Sequence, residues 1–138
     1  MKICYLANTA IPSTNASAIQ IVKMCESFSK LEHKVLLITS NVSEKKIFDF
    51  YDVKSKFQIK KLKKFKKFPL GFKYYLFSIL SIIESLNFKP DIYITRNYFT
   101  SFLLTILQKK NILELHHGIE VESRIVRLYK AKMYFISH

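Results

Sequence analysis

Short apolar runs alternate with amphipathic stretches along the chain. The first two runs, residues 3–7 and 35–39, are almost continuously apolar, which is typical of strands covered on both faces of a sheet. Between them, apolar residues recur at helical spacing: Ala18, Ile21, Val22, Cys25 and Phe28. We place three charged residues on the opposite face of this helix: Lys23, Glu26 and Lys30. The pattern predicts a strand–helix–strand unit with a right-handed crossover.

The rest of the chain continues this alternation. Further strands are predicted at residues 57–59, 92–95, 112–115 and 133–137, and further helices at about 72–87, 98–107 and 120–130. Such an order predicts an α/β fold, a Rossmann-like parallel sheet of six strands with helices on both faces, forming one domain over residues 1–138. We expect the first strand to end at Asn8. We also expect the side chain of Asn15 or Ser17 to cap the first helix.

The charge adds a possible partner. The chain has 23 Lys and Arg against 10 Asp and Glu, a net charge of +13, and only three of the basic residues are arginines. Two explanations fit this excess. One is a surface that binds polyanions, and the other is the codon usage of an AT-rich genome. Six lysines and one phenylalanine form a predicted membrane-surface segment: Lys60, Lys61, Lys63, Lys64, Phe65, Lys66 and Lys67. One alternative is a run of solvated charges before a core helix. Another is nucleic-acid binding, for which the chain shows no recognition motif.

Several classes of protein are disfavoured. Cys4 and Cys25 fall within apolar positions and have no metal-ligand spacing, so we read them as buried hydrophobic residues in a reducing compartment and predict no metal site. The chain has no Gly-x-Gly-x-x-Gly and no phosphate-binding P-loop. We see neither a signal peptide nor the roughly 20 apolar residues that a membrane-spanning helix needs. These features predict a cytoplasmic protein, either free or peripheral at the inner face of the cell membrane.

Polar residues with useful chemistry follow the predicted strands, where parallel sheets bind their ligands. Asn8 and Asn15 follow the first strand, and Arg96 and Asn97 follow the fourth. Arg96 fits either an anion held by two hydrogen bonds or an ion pair with an acidic neighbour. The fifth strand is followed by His116, His117 and, shortly after, Glu120. A histidine here fits hydrogen bonding to a phosphate or hydroxyl and acid–base catalysis, although loop histidines without a ligand are also common.

The order of short motifs resembles the N-terminal domain of family-4 glycosyltransferases of the GT-B fold. Residues 1–12 (MKICYLANTAIP) resemble the first strand and loop of that family, and residues 19–25 with His33-Lys34-Val35 resemble its first helix and second strand. Residues 90–96 (PDIYITR) resemble the "K-P-D-x-(I/V)-x-x-R" strand, residues 112–118 the strand that ends in "E-x-H", and residues 134–137 a strand with the pattern "(I/V)-S". Two departures are Glu32 in place of a glycine and residues 15–18 (NASA) in place of a Gly-Gly pair.

The resemblance implies sugar transfer, without a metal, from a nucleotide-sugar donor to a cell-envelope glycan or lipid-linked acceptor. It implies that this half binds the acceptor, with His116 and His117 as catalytic residues and with Asn8, Asn15, Arg96, Asn97 and Glu120 in acceptor binding. By this resemblance we expect the donor domain with its Glu-x7-Glu site to be missing, so no cofactor is expected in this half and the chain alone should be inactive. A separate C-terminal half would be the partner. The alternative is a non-enzymatic module that binds membranes or polyanions through its basic surface.

Overall fold

The computed structural model describes residues 1–42, 47–62 and 70–115. The strands are β1 (Lys2–Ile11), β2 (Lys34–Val42), β3 (Gln58–Lys61), β4 (Ile92–Thr95) and β5 (Asn111–Leu113). The helices are α1 (Ala16–Lys30), α2 (Ile47–Phe50), α3 (Leu70–Ser85) and α4 (Tyr98–Ile106), with a 3-10 turn at Leu86–Phe88. Within these ranges, no helix is both long enough and apolar enough to cross a bilayer.

All the strand pairs are parallel, and the strand order in the sheet is β3-β2-β1-β4-β5. The chain therefore builds outward from β1 to β3, crosses back through α3, and builds outward on the other side through β4 and β5. This confirms the predicted α/β fold with a Rossmann-like parallel sheet. The predicted helix at 120–130 and sixth strand at 133–137 lie outside the described residues.

Two hydrophobic cores cover the two faces of the sheet because side chains alternate along each strand. On one face, α1 packs its predicted apolar side, including Ile21, Val22 and Cys25, against Tyr5 and Leu37. On the other face, α3 and α4 supply Phe77, Ile82 and Leu104, which pack with Leu6 and Ile38. Both cysteines are buried as predicted, and burial raises the pKa of each thiol. The strands are thus covered on both sides, as their continuous apolar character predicted.

The first strand is longer than predicted. It continues past Asn8 to Ile11, with a register shift between Ala7 and Ala10 against β2. The Thr39 side chain in β2 donates a hydrogen bond to the Thr9 carbonyl, which satisfies part of the extended backbone. Polar residues at 8 and 9 hid this extension, because it depends on pairing with β2 and not on local apolar character. A cis peptide bond joins Ile11 to Pro12 immediately after the strand.

Glu26 corrects the predicted polar face of α1. We placed it opposite the apolar side, yet its side chain is only 3% exposed. The Lys54 backbone N–H donates to its carboxylate at 2.9 Å, and the ammonium groups of Lys23 and Lys30 lie 3.0 and 3.1 Å away. The segment that follows α2 therefore covers this side of the helix. These three partners explain how a carboxylate is buried here, since a buried charge needs hydrogen bonds and opposite charges.

Candidate functional site

Arg96 and Glu114 form an ion pair at the carboxyl edge of the sheet, the edge where the parallel strands end. Arg96 directly follows β4 and Glu114 directly follows β5. One Arg96 Nη atom lies 2.8 Å from Glu114 Oε1, and Nε lies 3.2 Å from Oε2, so the guanidinium binds the carboxylate through two hydrogen bonds. The two side chains are 14% and 18% exposed. Of the two interpretations of Arg96, the structure thus shows the ion pair.

Three more residues join this pair to β1 and α1, and together the five form what we call the Arg96 cluster: Tyr5, Ser17, Gln20, Arg96 and Glu114. The Tyr5 hydroxyl donates to Glu114 and accepts from Arg96 Nε at 3.1 Å. Gln20 Nε2 donates to Glu114 Oε1 at 2.9 Å, and Arg96 Nη1 donates to the Ser17 carbonyl at 3.2 Å. The cluster therefore fixes the first turn of α1 over the ends of β1, β4 and β5.

The protonation states of the Arg96 cluster follow from its burial. Burial raises the pKa of the Tyr5 phenol far above its ordinary value, and the hydrogen bond to Glu114 raises it further, while the Arg96 guanidinium opposes both effects. The phenol is therefore neutral near pH 7 and acts as a donor to Glu114. A guanidinium has five N–H groups. Within the described residues, the contacts of Arg96 use three of them.

Asn8 and Asn15 lie on the same edge of the sheet. Asn8 is exposed at the register shift of β1, and Asn15 is exposed at the N-cap position of α1. The loop between them is held in place by Tyr51, whose hydroxyl accepts from the Ser13 N–H at 2.6 Å and donates to the Ser13 carbonyl at 2.7 Å. Both amide side chains therefore extend from a fixed segment of backbone.

The expected side-chain cap of α1 is wrong. Asn15 occupies the N-cap position, but its side chain makes no capping hydrogen bond, and Ser17 lies inside the helix. The Asn15 carbonyl instead accepts from the N–H groups of Ala18 and Ile19. The first turn of α1 also has no acidic residue. At this end of α1, the Ser13 hydroxyl accepts from the Asn15 N–H at 3.2 Å, and the positive end of the helix dipole faces the carboxyl edge.

Asn97 has a structural role inside the fold. It is 5% exposed, and its Oδ1 accepts from the Thr100 N–H at 3.0 Å, which caps α4. Its Nδ2 donates to the Ser78 hydroxyl at 3.1 Å and so ties α4 to α3. Both polar atoms of the side chain are used in these contacts. Acceptor binding was predicted for Asn97, but both polar atoms of its side chain contact Thr100 and Ser78 inside the fold.

The remaining predicted site residues divide into two groups. His116, His117 and Glu120 lie outside the described residues, immediately beyond the Arg96 cluster in sequence. Of the predicted membrane-surface segment, Lys60 and Lys61 are exposed on the edge strand β3, where Lys60 forms an ion pair with Glu84 of α3. The rest of that segment also lies outside the described residues: Lys63, Lys64, Phe65, Lys66 and Lys67.

Sequence reasoning missed three members of the Arg96 cluster. Tyr5 falls within the predicted strand at 3–7 and Glu114 within the strand predicted at 112–115, and Gln20 has no predicted role. An acidic residue at the end of an otherwise apolar strand was the available signal for Glu114, because burying a carboxylate requires a partner. Tyr5 gave no comparable signal, since tyrosine is common in strands. Among the described residues, no group of three or more His, Cys, Asp or Glu side chains could hold a metal ion.

Comparison with known proteins assigns no family to the chain. No model of a protein family matches the sequence. A search of curated proteins also returns no match. A function is therefore proposed from the residues themselves and their geometry.

Proposed function

We propose that the chain is the acceptor-side half of a GT-B glycosyltransferase that transfers a sugar from a nucleotide-sugar donor to a cell-envelope glycan or a lipid-linked acceptor. The observation that carries this proposal is the convergence of β1, β4, β5 and the start of α1 at one edge of the sheet, around Arg96. The residues named by the family resemblance come from separate parts of the sequence, and three of them meet this edge: Asn8, Asn15 and Arg96.

The sheet topology supports a ligand crevice at this place. In the order β3-β2-β1-β4-β5, the chain builds outward from β1 to β2 and β3 on one side, returns through α3 to β4 beside β1, and builds outward to β5 on the other side. Such a switch point opens a crevice beyond the carboxyl ends of the two central strands. Arg96 follows β4 and Asn8 lies near the end of β1, so both border that crevice.

The turn before β2 agrees with the family pattern. Glu32 replaces the glycine expected before His33, and its φ of 61° lies in the left-handed region that favours glycine. Its N–H donates to the Ser29 carbonyl, and the His33 N–H donates to Phe28, which closes α1 in a tight turn. The backbone conformation at position 32 is thus the one a glycine would adopt without strain, although the side chain differs.

The chemistry at this edge suits a glycan that bears hydroxyls and a phosphate. The amides of Asn8 and Asn15 offer both donors and acceptors, which sugar hydroxyls require. The positive end of the α1 dipole favours an anion such as the phosphate of a lipid-linked sugar. Arg96 is held at this edge by Glu114 and Tyr5, and its guanidinium carries a positive charge that suits a phosphate. In this proposal, His116 and His117 contact the reacting sugar or phosphate.

The role of this half is to position the acceptor. In sugar transfer, an acceptor hydroxyl attacks the anomeric carbon, the bond from that carbon to the nucleotide diphosphate breaks, and the hydroxyl proton is taken up by a base or by the leaving phosphate. Both substrates must be held together for this step, and holding them accounts for much of the rate enhancement. The nucleotide sugar would bind a second domain, so the chain alone is expected to bind acceptor without transferring sugar.

The test measures sugar transfer with labelled nucleotide sugars and a membrane lipid extract, using the chain alone and together with the product of the downstream reading frame. We expect transfer only when both are present. Asn8→Ala should lower it about tenfold, the effect of losing one substrate hydrogen bond of about 1.4 kcal/mol. The matched control is Asn87→Ala, an exposed asparagine that precedes β4 at the opposite edge of the sheet and should leave transfer unchanged. A downstream frame without a nucleotide-sugar domain, or equal loss in both variants, would overturn the proposal.

A further inference from the structure

Helix α3 buries serines beside its core residues Phe77 and Ile82, and it exposes large apolar residues on its outer side. The serines on its inner side, Ser78, Ser81 and Ser85, are fully buried. Its outer side instead exposes large apolar residues at spacings of three or four, which places them in one stripe along the helix: Tyr75, Ile79 and Ile83, continued by Leu86 in the 3-10 turn. Exposed fractions in this stripe range from 38% for Tyr75 to 54% for Ile83. A helix on the surface of a soluble protein normally exposes polar and charged residues on its outer side.

The buried hydroxyl groups explain the inner half of this pattern. Ser78 accepts from Asn97 Nδ2 at 3.1 Å and from the Thr100 hydroxyl at 2.9 Å, so it joins α3 to α4. Ser85 lies 3.1 Å from the Tyr93 hydroxyl. Small side chains let two helices approach closely, and hydroxyls bond across the contact. Small and hydroxyl residues between helices, with apolar residues facing outward, are typical of helices that face lipid.

Helix α4 widens the apolar surface. The Phe99 ring of α4 contacts the Tyr75 ring edge-to-face, with centroids 4.7 Å apart. Ile106 lies two helical turns beyond Phe99 on the same side of α4 and is 47% exposed. We call Tyr75, Ile79, Ile83, Leu86, Phe99 and Ile106 the outer apolar face. Soluble proteins rarely expose large contiguous apolar patches, and those that occur mark sites of interaction with a protein or a membrane.

The charges around the outer apolar face are mostly basic. Residues 70–113 contain five basic residues and two acidic ones. Both acids are already engaged, Glu84 with Lys60 and Asp91 with the Lys2 backbone N–H. Four of the five basic residues are lysines: Lys73, Lys89, Lys109 and Lys110. At the end of the stripe, a cavity of about 150 Å³ is lined by Leu86, Lys89, Pro90, Tyr93 and Lys109, which places two of these lysines near Leu86.

We propose that the outer apolar face rests on a bilayer that contains anionic phospholipid, with its apolar side chains at the boundary of the acyl chains and its lysines near lipid phosphates. Interfacial helices bind in this way, by apolar burial combined with attraction to anionic head groups. A second copy of the chain fits less well, because each copy carries +13 and two basic borders would face each other. The inference does not depend on sugar transfer. It also differs from the predicted segment at 60–67, since the apolar contact comes from α3 and α4.

The first experiment measures co-sedimentation of the full chain with vesicles of phosphatidylcholine, alone or with about one-third phosphatidylglycerol. We expect binding to the anionic vesicles, weakened by salt. The double variant Ile79→Glu/Ile83→Glu should bind at least about tenfold more weakly, since it places two acids in the apolar contact. The matched control, Ile19→Glu/Leu31→Glu, changes two exposed apolar residues of the α1 region on the other side of the sheet and should bind like the unmodified chain. Circular dichroism checks that each variant is folded.

A second experiment needs no disruptive change. The chain contains no tryptophan, so Ile83→Trp and Ile19→Trp each introduce a single fluorescent reporter. With anionic vesicles, the emission of the first should shift to shorter wavelength and be quenched by brominated lipid, while the second stays unchanged. Equal quenching at both positions, vesicle binding that survives Ile79→Glu/Ile83→Glu, or a dimer that these variants dissociate without any vesicle binding would each overturn the proposal.

Discussion

Tyr5 in the first strand donates a hydrogen bond to the carboxylate of Glu114, which follows the fifth strand and lies 109 residues further along the chain. Strand β4 lies between these two strands, and Arg96 follows its end. The Tyr5 hydroxyl therefore contacts both members of the ion pair, because it also accepts a hydrogen bond from Arg96. The switch point of the sheet is therefore crossed by side-chain hydrogen bonds as well as by backbone pairing.

Removing this hydroxyl should loosen the carboxyl edge. Tyr5→Phe leaves Glu114 and Arg96 each without one partner, and we expect a loss of about 1–2 kcal/mol in the free energy of unfolding. Tyr75→Phe is the control, because that ring is exposed and should change stability by less than about 0.5 kcal/mol. Urea denaturation of both variants measures the difference. Equal stabilities would mean that the Tyr5 hydroxyl contributes nothing.

The ion pair itself can be measured with a double-mutant cycle. Arg96→Met and Glu114→Leu each remove one side of this mostly buried ion pair, and each should cost about 2–3 kcal/mol, less than a fully buried pair because the two side chains keep 14% and 18% exposure. The double variant should cost less than the sum of the single variants by about 1–2 kcal/mol. Strictly additive effects would show that the two residues act independently.

Position 32 tests the family pattern in the turn after α1. Glu32 has a φ of 61°, which costs a residue with a Cβ atom about 1 kcal/mol. Glu32→Gly removes this strain and should raise the free energy of unfolding by about 0.5–1 kcal/mol, although glycine also gains freedom in the unfolded chain. Glu32→Ala is the control for losing the carboxylate and should give no such gain. A less stable glycine variant would contradict the expectation.

The sequence predicted the elements that depend on local pattern. The strands β1, β2 and β4 and the helix α1 contain the runs or periodic positions expected of them. Helices α3 and α4 overlap the predicted ranges at 72–87 and 98–107, and β5 at Asn111–Leu113 overlaps the predicted 112–115 but ends two residues earlier. The short helix α2 was missed, because four residues give too little periodicity to recognise. Strand β3 was predicted at 57–59 and lies at Gln58–Lys61, where an edge strand of mixed polarity offers no sharp limits.

The candidate site was less predictable, because its contacts join distant residues. The ends of strands indicated where Asn8, Asn15 and Arg96 would gather, and the topology places them on one edge of the sheet. The partner of Arg96 could not be predicted in this way. Glu114 lies beside Arg96 because β5 pairs with β4, and a single sequence does not show which strands pair. For Asn97, a polar residue before a helix fits both a ligand contact and a cap, and only the buried Thr100 N–H and Ser78 hydroxyl decide between them.

The two asparagines at helix starts provide a matched comparison. Asn97 caps α4 with its side chain, whereas Asn15 occupies the N-cap of α1 without such a bond. Asn97→Ala should therefore cost about 1–2 kcal/mol in the free energy of unfolding, through loss of the cap and of the bond to Ser78. Asn15→Ala should cost at most about 0.5 kcal/mol. Thermal or urea denaturation distinguishes them, and similar losses in the two variants would contradict the difference in capping.

Glu26 should make stability depend on pH in acid. The hydrogen bond from the Lys54 N–H lowers the pKa of this carboxyl to about 2 from an ordinary value of 4.5, helped by Lys23 and Lys30 and opposed by burial. Because the folded pKa is the lower one, the unfolded chain binds the proton more readily between these values. The contribution of Glu26 is therefore complete above about pH 4.5 and is lost as the pH falls toward 2. Glu26→Gln should be less stable at pH 7 and show a shallower decline in acid, measured by urea denaturation at several pH values. Ser27→Ala is the control, because it changes the same helix without removing a titrating group, and its free energy of unfolding should depend on pH as in the unmodified chain. If Glu26→Gln also kept that dependence, Glu26 would not contribute to it.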